Sequence, residues 1–286
     1  MSPRGRSRAL AGRVAAITGG ARGIGAATAA AFAREGMAVA IGDVDEALAR
    51  RTADELAGRG ARVRAYALDV TDPASVEAFV AGAEADLGPL DVFDANAGIM
   101  PLGAFLDETP ESTARQLAVN VEGVVNGVRA VLPRFADRRA GHLVTVASMA
   151  GRSGFPGAAT YCGTKHFVVG FSEAIRAELR WAGIPVDVSC VMPAVVQTEL
   201  AAGLRPTRGV TPATAEDVAA AIVAALRRPR FDVPVPAVAG PIAGISGALP
   251  RRGQDLIGRL IGADETLIGA DPAARAAYER RAAGGA

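Results

Sequence analysis

The sequence predicts a doubly wound α/β fold, a parallel sheet with helices on both faces. Short apolar, β-branched runs alternate with stretches of helical periodicity along most of the chain, the pattern of strands joined by crossover helices. A glycine-rich turn separates the first strand from the first helix. Half of the 286 residues are hydrophobic but only 5% are aromatic. Small side chains must therefore build the core, which suits close packing of helices on a sheet.

Residues 14–18 read as the first strand, followed by the turn Thr18-Gly-Gly-Ala-Arg-Gly-Ile-Gly25 and a helix over 24–34. A second strand is expected at 37–42, a helix at 47–58, a strand at 63–68, a helix at 73–87 and an apolar strand at 92–95. The middle keeps the rhythm: a long helix over 113–135, interrupted before Pro133, a strand at 142–147, a helix at 161–181 and a strand at 186–191. Pro156-Gly157 keeps the segment before Tyr161 irregular, and Gly183-Ile-Pro185 ends the following helix.

After Pro193 the pattern loosens. A Pro/Gly-containing segment through Pro212 is placed to cover a ligand, 215–226 reads as a helix, and 231–235 as an edge strand interrupted by Pro234. The apolar stretch 237–249 suits core, a partner surface or peripheral membrane contact. The alanine-rich 272–286 reads as a short helix before a frayed end. The expected organisation is a basic tail over 1–12, carrying Arg4, Arg6 and Arg8 just before Arg13, then one domain over 13–271 and a C-terminal tail over 272–286.

Thirty-one basic residues against thirty acidic ones leave a net charge of +1, which supplies no long-range pull toward nucleic acid. No apolar run is long enough for an integral membrane helix or a signal peptide. Cys162 and Cys190 form neither a metal cluster nor a disulfide framework, so a reduced, cytoplasmic protein without a metal is expected. His142 and His166 make no evident metal pair or triad and read as structural or surface residues.

The glycine turn follows a strand and opens a helix, the context that gives such a motif meaning. Gly19, Gly23 and Gly25 permit the turn, the close approach of a ligand and tight helix–strand packing, so that N–H groups at the helix start, around Arg22, Gly23 and Ile24, face a pyrophosphate. This makes the expected fold Rossmann-like. Asp43, 24 residues after Gly19, is placed to accept from an adenosine ribose and to repel a 2′-phosphate, favouring NAD over NADP. Arg22 complicates this because it can approach the same phosphate. Asp69-Val70 ends the third strand and is expected at the adenine edge, while Asn96-Ala97-Gly98 brings backbone toward the cofactor.

Tyr161 and Lys165 share a helix face at i and i+4, thirteen residues after Ser148. A free phenol has a pKa of about 10, and a cation nearby favours its anion. Lys165 is accordingly expected to pull Tyr161 toward phenolate, with Ser148 holding the oxygen that exchanges a proton with it. Taken singly, these residues have plain readings as an interface aromatic, a solvated charge and a turn cap. Their spacing argues for a site.

With these motifs assembled, the chain resembles the short-chain dehydrogenase/reductase family from Arg13 to Leu200. The glycine turn matches the family's cofactor turn, and Asn96-Ala97-Gly98 its internal structural motif. Asn120 matches the active-site asparagine, Ser148 the substrate-orienting serine, and Tyr161-Cys-Gly-Thr-Lys165 the catalytic pattern. The resemblance implies that Lys165 contacts the nicotinamide ribose, that Asn120 supports a water-linked proton path, and that Pro193, Val196 and Thr198 lie in the loop meeting the nicotinamide. Ala194 stands where that loop usually has glycine, which puts its closure in doubt. It also implies a homodimer or homotetramer built through large central helices.

The resulting expectation is an NAD-dependent oxidoreductase acting on an uncharged or partly hydrophobic alcohol/carbonyl pair. An NADP-dependent carbonyl reductase and a noncatalytic dinucleotide sensor or scaffold are the alternatives.

Overall fold

The computed structural model describes residues 7–205, 211–240, 250–253, 259 and 262–284. Seven strands form one sheet, β1 (Val14–Thr18), β2 (Ala38–Asp43), β3 (Val63–Ala67), β4 (Val92–Ala95), β5 (His142–Val146), β6 (Asp187–Pro193) and β7 (Asp232–Val235), in the order β3-β2-β1-β4-β5-β6-β7. Every pairing is parallel. The order reverses between β1 and β4, and in such sheets a crevice opens beyond the carboxyl ends of the strands at that point. The Rossmann-like expectation is met.

Alternation along the strands divides the core. Ala16, Ala40 and Phe93 face one layer with Phe79, Val131 and Phe135. Ala15, Ile17 and Ile41 face the other with Phe32, Val218 and Ile222. The first layer contains α3 (Pro73–Leu87), α5 (Gly123–Arg138) and α6 (Ala159–Trp181), and the second α1 (Gly23–Arg34), α2 (Glu46–Ala57) and α7 (Ala215–Arg227). Pro234 sits in β7 at the sheet edge, where a missing N–H is tolerated. No described helix is long and apolar enough to cross a membrane.

The long middle helix differs from its expected form. It starts as α4 (Pro110–Leu117), where the Thr109 hydroxyl accepts from the Ser112 N–H at 3.2 Å. A π-helical turn spans Ala118–Glu122, and α5 follows without a break. The interruption thus falls at Asn120, and Pro133 lies inside α5. The end of α5 is anchored independently of the bond that Pro133 cannot make. Phe135 is buried in the core, and Arg138 donates to the Leu90 carbonyl.

The C-terminal segment is folded as α8 (Ala263–Ile268) and α9 (Pro272–Ala282). Arg275 and Tyr278 of α9 are only 2% and 9% exposed. Arg4, Arg6 and most of the apolar 237–249 stretch lie outside the described residues.

Candidate active site

A cleft of about 1810 Å³ runs along the carboxyl ends of the central strands, lined by the glycine turn, Asp43, Asp69, Asn96, Ser148, Tyr161, Lys165, Pro193 and Thr198 among others. The fold thus brings residues far apart in the chain to one opening.

Backbone builds its nucleotide end. Gly19 has a φ of +66°, and a Cβ on Gly25 would stand 2.2 Å from the Gly19 carbonyl oxygen. Glycine is required at the first for conformation and at the second for space. No side chain caps the start of α1, so its first-turn N–H groups, from Gly23 through Gly25, face outward in the manner that favours an anion. Asn96 braces the turn from β4, its amide donating to the carbonyls of Thr18 (2.8 Å) and Gly19 (3.0 Å). It holds the turn and, with the adjoining Ala97 and Gly98, lines the cleft.

Asp43, at the end of β2, accepts from the N–H groups of Ala21 (3.1 Å) and Asp45 (3.0 Å). The carboxylate is therefore oriented at the rim of the turn. Arg22 is engaged by Asp45 at 2.5 Å and by Glu199 at 3.4 Å. Asp69 uses one oxygen on the N–H and hydroxyl of Thr71, and the Val70 carbonyl accepts from Asn126 at 3.0 Å. These bonds fix the far wall. Together the turn, the uncapped helix start and the carboxylate at the end of β2 fit a dinucleotide.

The polar end is set by α6 and the π-turn. Asn120 accepts from Ile99 N–H and donates to Ile99 C=O, both at 2.8 Å, and donates to the Thr164 hydroxyl at 3.1 Å. Thr164 in turn donates to the Tyr161 carbonyl at 2.7 Å. A π-turn displaces one residue from the helical register, and here it places Asn120 where it locks α6 to the segment after β4. The Lys165 Nζ donates to the Val146 carbonyl at 2.9 Å and lies 5.7 Å from the centre of the Tyr161 ring. Gly98 is the common neighbour: a Cβ there would lie 3.2 Å from Asn120 Oδ1 and 3.4 Å from Lys165 Nζ. Ser148 donates to the Pro193 carbonyl at 3.3 Å and accepts from Ala150 N–H at 3.1 Å.

The electrostatics differ from expectation. Burial pushes Tyr161 up to about 12, with the Ser148 hydroxyl acting in the opposite direction. Burial also pulls Lys165 down to about 8. Loss of water disfavours the charged form of each. Burial within the protein alone therefore favours the protonated phenol.

The loop after β6 reaches both ends. Val196 is buried and bridges to Ala213, and the Thr198 methyl would meet a Cβ on Gly23 at 3.6 Å. Ala194 donates to Val235 C=O at 2.8 Å and has no positive φ, so the loop forms without a glycine there. His142 is buried against Ser189 at 2.9 Å, burial holding it down at about 4, while His166 is exposed and contacts the Cys162 carbonyl. Neither reaches the cleft.

Sequence reasoning missed the cover. Arg275 donates to the carbonyls of Leu200 (2.8 Å), Ala202 (3.2 Å) and Met100 (2.8 Å), and pairs with Glu279 at 2.8 Å. The Tyr278 hydroxyl accepts from Met100 N–H at 2.6 Å, and Arg281 pairs with Glu199 at 2.6 Å. Beside Tyr161, the residues Met100, Ala150, Ala158, Cys162 and Leu267 form a separate apolar cluster, flanked by Phe155, Leu200 and Leu204. No local spacing announces these contacts. The one available signal was the apolar tyrosine embedded in the charged 272–282 stretch.

Comparison with known proteins agrees with this geometry. Residues 13–209 match the family model described as short chain dehydrogenase. A probable oxidoreductase, EphD, of Mycobacterium tuberculosis is 39% identical over 272 residues, covering 86% of this chain but 45% of the mycobacterial protein. The chain thus spans less than half the length of that curated relative. The 1-deoxy-11-beta-hydroxypentalenate dehydrogenase of Streptomyces exfoliatus is 41% identical over 225 residues, 77% of this chain and 81% of that protein. A short chain dehydrogenase/reductase from Burkholderia phymatum, solved in complex with NAD, shares 30% identity at a TM-score of 0.78, covering 87% of this chain and 96% of that one. Sheet order, glycine turn, polar cluster and these likenesses have one explanation: the chain belongs to the short-chain dehydrogenase/reductase family of oxidoreductases.

Proposed function

We propose that this protein is an NAD-dependent oxidoreductase interconverting an uncharged or partly hydrophobic alcohol and its carbonyl, with Tyr161 as the acid/base. The observation that carries the reading is the meeting of Ser148, Tyr161 and Lys165 in the cleft that also contains the glycine turn. When bound, the nicotinamide supplies or accepts the hydride. The protein's own part is to orient the substrate oxygen and to handle its proton. Ser148 Oγ would hold that oxygen. In reduction the Tyr161 phenol would donate its proton to it and become phenolate, and in oxidation the Tyr161 phenolate would take the alcohol proton and become phenol. Lys165, fixed on Val146, would hold a ribose hydroxyl and offset the charge of a forming phenolate. Asn120, with its amide shared between Ile99 and Thr164, would hold this geometry.

The preference for NAD is supported by Asp43 at the turn and by the engagement of Arg22 with Asp45 and Glu199. A 2′-phosphate would have to compete with those carboxylates for the guanidinium. The NAD in the Burkholderia phymatum relative is consistent with this. The apolar cluster beside Tyr161 supports an uncharged substrate body. A homodimer or homotetramer is supported by Phe167 on α6, 38% exposed and stacked on Phe171. A cytoplasmic location is supported by the free Cys162 and Cys190.

The test follows nicotinamide absorbance across an alcohol and carbonyl panel, with NAD(H) and NADP(H), for the native protein and Tyr161→Phe. Turnover that favours NAD(H) and falls about a thousandfold in the variant is expected. NADP(H) preference would remove the Asp43 argument. Turnover that survives Tyr161→Phe would remove the acid/base assignment.

A further inference from the structure

The hydroxyl of Tyr278 is among the polar groups of the cleft that the proposed reaction leaves unused. Tyr278 projects from α9 into the same cleft as Ser148, Tyr161 and Lys165. Its hydroxyl oxygen accepts from Met100 N–H at 2.6 Å. Among the described residues, its own O–H proton has no acceptor. A buried hydroxyl proton without an acceptor is costly, and the side chain is only 9% exposed.

The phenol is also held with care. Arg275 sits 5.0 Å from the centre of its ring and donates to Met100 C=O. Both backbone polar groups of Met100 are thus taken by α9, one by each side chain. The same guanidinium ties down Leu200 and Ala202 on the opposite loop, so the position of Tyr278 is set from two sides of the cleft. Burial raises its phenol above the ordinary range, which keeps it a donor at any working pH. The nearby side chains Met100, Leu267, Phe155 and Leu204 are apolar. Ser148 and Tyr161 already account for the reacting oxygen, so this donor is suited to a different one.

We propose that Tyr278 is a specificity-determining residue, and that the substrate carries a second oxygen acceptor, hydroxyl or carbonyl, which the Tyr278 O–H binds while Tyr161 and Ser148 engage the reacting oxygen. This rests on the oxidoreductase reading above. It narrows the substrate class from any apolar secondary alcohol to diols and hydroxyketones on an apolar ring or chain.

The test measures kcat and KM with NAD for two matched series. Cyclohexanol and 2-decalol carry one oxygen, while the cyclohexane-1,2-, 1,3- and 1,4-diols, the decalin diols and their hydroxyketones carry two. The native protein is expected to prefer at least one member of the second series by about tenfold or more in kcat/KM over its one-oxygen parent, as a site built around a hydrogen bond discriminates. Tyr278→Phe, which keeps the ring over Arg275, is expected to erase that preference through KM, lowering kcat/KM on the two-oxygen series at least about fivefold more than on the one-oxygen series, with NADH binding unchanged.

Equal losses on both series would reduce Tyr278 to a support for Met100 and overturn the proposal, as would a native protein with no preference for the second oxygen. In both cases tyrosine-dependent turnover would leave the oxidoreductase reading standing. If Tyr278→Phe fails to fold, the native preference between matched series still decides. Native protein that binds NADH and turns over neither series would overturn both readings.

Discussion

The two ends of the cleft are built by different means. At the nucleotide end, one short motif sets the geometry, Asp43 reaching Ala21 across 22 residues and the Gly19–Gly25 turn closing on itself, and longer contacts from Asn96 and Glu199 only brace it. At the substrate end, one buried guanidinium joins segments 75 and 175 residues away. A short motif can specify the first arrangement because each residue acts on its neighbours. The second exists only after the whole sheet has formed. Cofactor chemistry is therefore written in spacing, whereas substrate choice depends on where a distant helix docks.

Three experiments separate these ends. The largest effect is expected from Gly25→Ala. Its Cβ would lie 2.2 Å from a backbone oxygen, which no rotamer can relieve, so α1 must shift away from the turn. NADH affinity should fall by about a hundredfold or more, equivalent to about 3 kcal/mol, as measured by fluorescence titration. Affinity that stays within threefold would show that the nucleotide end tolerates displacement and that the contrast is overstated.

Arg275→Met should act at the other end. It leaves the carbonyls of Leu200, Ala202 and Met100 without their donor and is expected to cost about 2–4 kcal/mol of stability. Substrate KM should rise about tenfold, equivalent to about 1.4 kcal/mol, while NADH affinity stays within threefold. A matching loss of NADH affinity would mean that α9 supports the whole cleft.

The smallest effect, and one that spares both ends, is expected from Asp94→Val. Asp94 lies in β4, fully buried, with neither carboxylate oxygen partnered, and burial pushes it up to about 8. Between about 4 and 8 the folded protein holds a proton that the unfolded chain releases. That contribution to stability is therefore present at low pH and lost as pH rises toward 8. His142, held down at about 4, acts oppositely below about 6.5, and Lys165, pulled down to about 8, acts oppositely as pH approaches 8. Both are common to the native protein and the variant, so the difference between the two isolates Asp94. Thermal unfolding of Asp94→Val should show a higher Tm at pH 8, by about 5 °C, a smaller gain at pH 5, and unchanged KM for both ligands. A gain independent of pH would indicate that the carboxyl is already ionised in the fold.

Legibility followed the same division. The strand positions and the glycine turn could be read because periodicity and turn chemistry are local properties of the chain. Ser148, Tyr161 and Lys165 were legible through their spacing. Asn120 was found by resemblance, but its π-turn was not. Helical periodicity survives one inserted residue, and the apparent weak point at Pro133 drew the expected break to the wrong place. The burial that raises the Tyr161 phenol was not legible, because spacing shows the proximity of Lys165 but not how much water the fold removes. Arg275 and Tyr278 were not anticipated at all, since their partners lie at residues 100 and 200–202.

The reach of Arg275 also bears on the order in which the molecule acquires its abilities. Closing a contact across 175 residues loses more chain entropy than closing one across 22, and such distant pairings form late. During refolding, the protein should hold nucleotide before it has a finished pocket for anything to react with. Nucleotide present from the start would then bind the half already made and draw the chain forward by mass action, so that the cofactor serves as a folding ligand before it serves as a reactant.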